Sequence, residues 1–229
     1  MSRLTDMQSH AGPSRSRRSY DQFCALARAL DSVGDRWTLL IVRELLAGPR
    51  RYTDLHADLP GVSTDMLATR LKHMEAEGLA ERRRPPRPAT GHVYELTARG
   101  RALLPALTAL AAWGAPALGK PRPTDAVRAH WWALPLREAV RRSCGGDVPG
   151  AVDVALPEGT FHLRLDDEPR GGPAYAEGPA PEEAGARLEL DADACAALAD
   201  GSLALADAVA AGTVRAAGSG SWARKLRGE

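Results

Sequence analysis

The sequence predicts two domains, a mainly α-helical domain followed by one that mixes helices and strands. In the first half, apolar side chains recur mostly at helical spacing, whereas strict alternation appears only later, as in "AVDVAL" at 151–156. A proline-containing segment at 119–124 separates the two patterns. Residues 1–120 hold 18 basic and 12 acidic side chains, and residues 121–229 hold 12 and 17. This asymmetry indicates that only the first half meets a polyanion.

The overall composition is typical of a soluble globular protein, with 44% hydrophobic and 26% charged residues in 229. The sequence contains no run of about 18 apolar residues, so no membrane span is expected. The basic start, "SRSRRS" at 14–19, contains no apolar signal core. Cys24, Cys144 and Cys195 lie far apart and show no metal-ligand spacing. We therefore expect a reduced cytoplasmic protein with no membrane segment, no metal and no cofactor.

Three helices are predicted after a disordered basic leader at 1–19. The first covers 20–33 and the third covers 52–59. The second follows a possible cap at Asp35 and stops at Gly48-Pro49. Each has an apolar stripe. The stripe residues are Phe23, Leu26, Leu30 and Val33 in the first, Trp37, Leu40, Ile41 and Leu45 in the second, and Tyr52, Leu55 and Leu59 in the third.

A fourth helix is predicted in "GVSTDMLATRLKHMEAEG", with Ser63 as its cap and Gly78 as its stop. "LAERRR" and "HVYEL" then predict two short strands around a proline-rich hairpin loop, and 97–113 predicts one long helix. This order is that of a winged helix-turn-helix: helices, a glycine-containing turn, another helix and a basic hairpin.

The face of the fourth helix opposite its apolar stripe is slim and able to hydrogen-bond base edges in a major groove. Its candidate DNA-binding residues are Ser63, Thr64, Asp65, Ala68, Thr69 and Lys72, with Arg70 and His73 at the edges to reach phosphates. The chain has no Asn and its two Gln lie outside this helix, so we expect Lys72 or Arg70 to read guanine and Thr69 a thymine methyl. An ordinary amphipathic surface helix is the alternative.

The hairpin carries four arginines suited to phosphate or minor-groove contacts: Arg82, Arg83, Arg84 and Arg87. The alternative is a solvated, charged sheet edge that discourages aggregation.

"CALARALDSVGDRWTLLIVRELLAGPRRYTDLHADLPGVSTDMLATRLKHMEAEGLAERR", followed by "VYELTARGRALLPALTALAAWG", resembles the HxlR-type winged helix-turn-helix regulators over 24–113. The resemblance implies a transcriptional regulator that binds double-stranded operator DNA as a homodimer, with helices 20–33 and 97–113 pairing across the dimer. Cys24 matches a position that senses oxidants or electrophiles in some members. A packed, inert cysteine is the alternative.

The second half predicts an α+β sandwich, in which one sheet is covered by helices on one face. Two hairpin strands are followed by a loose segment at 166–185, a third strand, two alanine-rich helices, a closing strand and a flexible basic tail containing Trp222. The order from Val152 to Gly218 is similar to the sterol-carrier-protein type 2-like fold, which implies an apolar pocket for a hydrophobic small molecule. The candidate ligand-binding residues are Trp131, Trp132, Phe161 and Leu163. Core packing is the alternative for the tryptophans.

No catalytic motif is present, so an enzyme is not expected and no catalytic residue is named. We predict a homodimeric regulator with a leader at 1–19, a DNA-binding and dimerisation domain at 20–118, a linker at 119–124 and a ligand-binding domain at 125–229. Bound effector would shift the helix at 97–113 and change the distance between recognition helices. The alternatives are a thiol sensor acting through Cys24 with a structural second domain, an effector-free architectural DNA binder, and a lipid carrier.

Overall fold

The computed structural model describes residues 19–86, 88, 90–144, 150–165, 173–181 and 184–229. The predicted leader therefore lies, apart from Ser19, outside the described residues. Four helices open the described chain: α1 (Ala25–Val33), α2 (Thr38–Leu46), α3 (Tyr52–Asp58) and α4 (Thr64–Ala76). The four predicted helices of the first half are confirmed in number and order.

Helix α1 is shorter than predicted because its first residues are held in a different conformation. The carboxylate of Asp31 accepts a hydrogen bond from the Tyr20 amide at 2.8 Å. Asp21 has a positive φ of 52°, and its amide donates to the Ser19 hydroxyl at 3.1 Å. These contacts fold 19–23 back toward α1, so the helix begins only after Cys24.

The ends of α4 follow the sequence signals. The Ser63 hydroxyl accepts a hydrogen bond from the Met66 amide at 3.3 Å, which satisfies one free N–H of the first turn. Gly78 has a φ of 65°, the left-handed conformation that stops a helix. Leu67, Leu71 and Met74 are buried in the core, as the stripe predicts.

Strands β1 (Ala80–Arg83) and β2 (Val93–Leu96) pair antiparallel and form the predicted wing. The single helix predicted over 97–113 is wrong, because the structure has two, α5 (Ala98–Arg101) and α6 (Leu104–Gly114). Pro105 lies in the first turn of α6. A helix running through it would lose the hydrogen bond to the Arg101 carbonyl and clash with it.

The second half begins with a 3₁₀ turn at Ala129–Trp132 and helix α7 (Ala133–Cys144). The strands are β3 (Ala151–Leu156), β4 (Gly159–Arg164), β5 (Tyr175–Glu177), β6 (Ala186–Glu189) and β7 (Arg215–Ala217). They form one sheet in the order β5-β4-β3-β6-β7, in which only β3 and β6 run parallel. The helices are α8 (Ala192–Asp200), α9 (Leu205–Ala210) and α10 (Ser221–Leu226).

Two expectations about irregular segments of the second half are corrected. Strand β5 lies inside the segment predicted to be loose, because Tyr175 pairs with Leu163 of β4. The tail predicted to be flexible instead forms α10, and Trp222 is buried against the sheet and α9. Burial of this large apolar ring favours the ordered helix over a flexible tail.

Candidate nucleic-acid interface

The solvent face of α4 is polar and slim, as a helix for a DNA groove requires. Ser63, Thr64, Asp65, Thr69 and Lys72 are exposed, and Ala68 is half-buried among them. The Thr69 hydroxyl donates to the Asp65 carbonyl at 2.7 Å, one turn earlier on the same helix. Six of the eight candidate residues of this helix therefore share one accessible face.

Arg70 and His73 do not belong to that face. Arg70 is buried, and its guanidinium lies 3.2 Å from the carboxylate of Asp35 in the turn before α2. His73 is half-buried, with Nε2 at 3.1 Å from the Ser32 carbonyl at the end of α1. Both side chains attach α4 to the rest of the domain in this structure, and their expected contact with phosphates stays a prediction.

The start of α4 is fixed by a residue that the sequence analysis assigned only to the core. The hydroxyl of Tyr52, at the start of α3, donates a hydrogen bond to the Thr64 carbonyl at 2.7 Å. This bond joins the two helices of the helix-turn-helix at the end that carries Ser63 and Thr64. In the sequence, a tyrosine on the apolar stripe of α3, close to the turn before α4, could have indicated this hydrogen bond.

The arginines of the wing lie in two different environments, one exposed and one half-buried. Arg82 and Arg84 are exposed, and Arg82 contacts Nδ1 of His92 across the hairpin at 3.2 Å. Arg83, the last residue of β1, is half-buried and forms an ion pair with Glu95 on the opposite strand. Arg87 lies outside the described residues. Arg82 and Arg84 are thus the described wing residues with guanidinium groups directed to solvent.

A buried polar cluster joins α2 to the second half of the chain. The Glu44 carboxylate is fully buried and receives hydrogen bonds from Arg43 Nε at 2.8 Å and Trp131 Nε1 at 2.9 Å. His130 lies with Nε2 2.8 Å from Glu44 and Nδ1 3.1 Å from Glu177. The His130 ring therefore lies between two carboxylates, one from α2 and one from β5.

The electrostatics of Glu44 follow from these partners. Burial alone would raise the pKa of its carboxyl, but the hydrogen bond from His130 and the charge of Arg43 outweigh burial and hold it below the ordinary value. Glu44 was the residue that sequence reasoning missed. A lone carboxylate within the apolar run "TLLIVRELL" could have indicated a buried partner.

Further contacts extend this junction along the same surface. The Arg50 guanidinium pairs with Glu177 at 2.8 Å, and Arg128 with Asp58 at 3.4 Å. The Ala174 amide donates to the Leu46 carbonyl at 3.2 Å. The Tyr175 hydroxyl donates to the Arg43 carbonyl, and burial raises its pKa. The second half is therefore attached to α2 and its neighbours through the 3₁₀ turn and β5.

The four candidate ligand-binding residues are dispersed. Trp131 belongs to the junction, where the Arg43 guanidinium lies 4.3 Å from its ring centre, and Trp132 is half-buried beside it. Phe161 and Leu163 are completely buried on β4. None of the four lines either of the two best-defined cavities of the described chain.

Cys24 is exposed in the described chain, whereas Cys144 and Cys195 are buried. Burial raises the pKa of the Cys195 thiol. The nearby cation of Arg28 lies 3.5 Å from Asp31, so its charge is shared with a carboxylate. The packed environment considered for Cys24 is not found within this single chain.

Large apolar side chains are exposed on α1, on the segment just before it and on α6. Phe23 and Trp113 are 108% and 84% exposed, and Leu26 and Leu110 are 67% and 50% exposed. An exposed apolar surface of this kind indicates a binding partner.

Among the described residues, no helix is long and apolar enough to cross a membrane. The same residues contain no group of three or more His, Cys, Asp or Glu side chains arranged to hold a metal ion.

Comparison with known proteins agrees with the geometry of the first half. A model of the HxlR-like helix-turn-helix family matches residues 32–121. The uncharacterized HTH-type transcriptional regulator YvaP of Bacillus subtilis is 38% identical over 86 residues, which are 38% of this chain and 80% of YvaP. This chain belongs to the HxlR-like helix-turn-helix family. It is a DNA-binding transcriptional regulator.

Another relative of this HxlR-like regulator is the HTH-type transcriptional regulator YodB of Bacillus subtilis. It is 35% identical over 85 residues, covering 37% of this chain and 76% of YodB. The solved structure of the reduced form of YodB is 30% identical and covers 44% of this chain and all of that one, with a TM-score of 0.38. The matched relatives are transcriptional regulators rather than enzymes.

Proposed function

We propose that the protein acts as a homodimer on operator DNA and that its second half transmits an effector signal. In this proposal residues 20–118 form the DNA-binding and dimerisation domain, 119–124 the linker and 125–229 the effector-responsive domain. The exposed face of α4 would read the major groove through Ser63, Thr64, Asp65, Ala68, Thr69 and Lys72. The exposed wing arginines, Arg82 and Arg84, would contact phosphates or the minor groove.

The dimer is supported by the exposed apolar surfaces of α1 and α6. Leaving Phe23, Leu26, Leu110 and Trp113 in water is unfavourable, and their burial against a second copy would remove that cost. The same two segments pair across the dimer in the arrangement that the family resemblance implies.

The buried junction is the observation that carries the regulatory part of the proposal. Glu44 lies on α2, the helix that precedes the helix-turn-helix, and its partners His130 and Trp131 lie in the second half. A displacement of one half would therefore shift the other. Helix α7 also packs against α6. A ligand that favours one arrangement of the halves can therefore alter operator affinity, with couplings typically of about 1–3 kcal/mol.

A hydrophobic effector and a sterol-carrier-like second domain remain part of the proposal. The order β3-β4, β6, α8, α9, β7 supports the resemblance, and α8 stops at Gly201 with a φ of 80°. A ligand that used Trp131, Trp132, Phe161 and Leu163 would have to open the packed interior of β4, since Phe161 and Leu163 have no exposed surface.

The test measures binding to DNA from around the protein's own gene, together with the mass of the particle by sedimentation. We expect salt-sensitive, sequence-selective binding by a dimer. Trp113→Asp should shift the protein toward monomer and weaken operator binding, whereas Val127→Asp, at an exposed apolar residue outside α1 and α6, should leave both unchanged. Unselective binding, or a dimer insensitive to Trp113→Asp, would contradict the proposal.

An alternative function is thiol sensing, which the exposure of Cys24 favours. An oxidant such as hydrogen peroxide can reach this thiol in the described chain, unlike those of Cys144 and Cys195. If Cys24 carries the signal, oxidation should change operator binding of the parent protein but not of Cys24→Ser. An equal response of both proteins would exclude this function.

A further inference from the structure

A cavity of about 230 Å³ lies between the β1–β2 hairpin and the second half of the chain. Its apolar walls include Leu45 and Leu46 of α2, Leu96 of β2 and Leu104 of α6. Pro173 and Ala174 close it from the second half, just before β5. This volume can hold a small organic molecule, and both halves of the chain would contact it.

The polar part of the wall carries an excess of positive charge. Arg83 and Arg101 line the cavity together with a single acidic residue, Glu95. Arg83 uses Nε to bind Glu95, and Arg101 uses Nη1 to bind the Leu96 carbonyl and lies 4.0 Å from Glu95. Neither guanidinium makes another hydrogen bond within the described part of the chain, so most of their N–H groups are available to a ligand.

We propose that this cavity binds a small amphipathic anion, an aryl or short alkyl carboxylate, and that this anion is the effector. The inference rests on the proposed function, to which it adds a site and a ligand class. The apolar part would contact the leucines and Pro173, and the carboxylate would receive hydrogen bonds from Arg83 and Arg101. Two arginines against one glutamate favour one negative charge on the ligand, because bidentate guanidinium–carboxylate pairs are strong and directional.

Binding at this position would act on the wing and on the junction together. A ligand carboxylate competes with Glu95 for Arg83, which loosens the ion pair between β1 and β2. On the other wall, the Ala174 amide is bonded to the Leu46 carbonyl, and β5 follows with Tyr175 and Glu177 of the junction. The occupant therefore contacts elements that position both the wing and the second half.

The experiment measures binding of benzoate to the full-length protein by NMR titration, with benzamide as the neutral match and benzylammonium as the cationic one. We expect benzoate to bind with a Kd of roughly 1 mM or lower and benzamide at least about tenfold more weakly, because the charge-assisted hydrogen bonds are lost. Benzylammonium should not bind.

Matched variants test the site. Arg101→Met and Arg83→Met should each weaken benzoate binding about fivefold or more. Arg99→Met, two residues away on α5, and Arg84→Met, next to Arg83, should leave it unchanged, because both side chains are exposed and do not line the cavity. Two independent variants keep the test valid if one of them fails to fold. Equal binding of benzoate and benzamide, equal binding by all variants, or no benzoate binding at about 10 mM would overturn the site.

Operator binding in the presence of benzoate separates this inference from the proposed function. We expect saturating benzoate to change operator affinity by about fivefold or more in the parent protein and much less in Arg101→Met. Benzoate binding without any change in operator affinity would overturn its role as an effector class. Absence of selective DNA binding without benzoate would instead contradict the proposed function. The NMR titration would still test whether the cavity binds benzoate.

Discussion

Helices α4 and α2 both present polar groups opposite an apolar face, yet the two faces have different surroundings. On α4, Thr64, Asp65 and Lys72 are exposed to solvent. On α2, Glu44 has no exposed surface and is bonded to residues far away in the sequence. A polar residue on a helix is available for binding where it stays solvated, and it holds parts of the chain together where another segment covers it.

The same contrast occurs within α4, between two cations two residues apart. Lys72 is exposed, whereas Arg70 is buried beside Asp35. A turn of about 200° separates them around the helix, which places them on opposite faces. Substitutions at these residues and at Glu44 should therefore affect different measured quantities.

The largest expected effect comes from Glu44→Ala. Removing this carboxylate takes away the partner of His130 Nε2 and of the Trp131 indole N–H inside the junction, so the free energy of unfolding should fall by about 3–5 kcal/mol. Urea unfolding monitored by circular dichroism measures the change. Glu75→Ala, at an exposed residue of α4, is the matched control and should change stability by less than about 0.5 kcal/mol. Equal effects of the two substitutions would refute the structural role of the junction.

Glu44→Gln should reveal the charge of the junction through its pH dependence. The pKa of Glu44 is held below its ordinary value of 4.5, so the charged form stabilises the folded state above that pH. This contribution is lost as the pH falls through the folded-state pKa. The stability difference between the parent protein and Glu44→Gln should hence be constant near neutral pH and shrink below about pH 4.5, as unfolding titrations from about pH 7 to pH 3 would show. A difference that grows on acidification would contradict this sign.

Arg70→Met should produce a moderate loss of stability. The substitution keeps an apolar stem but removes the ion pair with Asp35, which is mostly sheltered from water, and we expect a loss of about 1–2 kcal/mol. Operator affinity of the folded variant, measured by fluorescence anisotropy, should stay within about threefold of the parent value. A strong loss of affinity with unchanged stability would restore Arg70 as a DNA contact.

Lys72→Met should have the smallest effect on folding and a clear effect on binding. Loss of one phosphate or base contact should weaken operator binding by about three- to tenfold and reduce the slope of log affinity against log salt by about one. Lys120→Met, an exposed cation outside α4, is the matched control and should leave the slope unchanged. Identical slopes for Lys72→Met and the parent protein would remove Lys72 from the interface.

Local signals were sufficient for much of the first half. The Ser63 cap, the Gly78 stop and the stripe of Leu67, Leu71 and Met74 are properties of short segments, and the structure confirms all three. The break before α6 was also encoded locally, by Pro105, although a continuous apolar stripe concealed it. The exposed face of α4 was predictable because the opposite face must be buried.

Helix caps, apolar periodicity and turns act over a few residues, so a winged helix-turn-helix with a polar face on α4 could be predicted from the sequence. Which charges on those helices remain in water depends on contacts between distant parts of the chain. Glu44 meets His130 across 86 positions of sequence, and Arg70 turns inward to Asp35. Such pairings depend on which surfaces the folded chain brings together, and no local pattern specifies them. The cavity between the β1–β2 hairpin and Pro173 likewise exists only because the second half folds against α2.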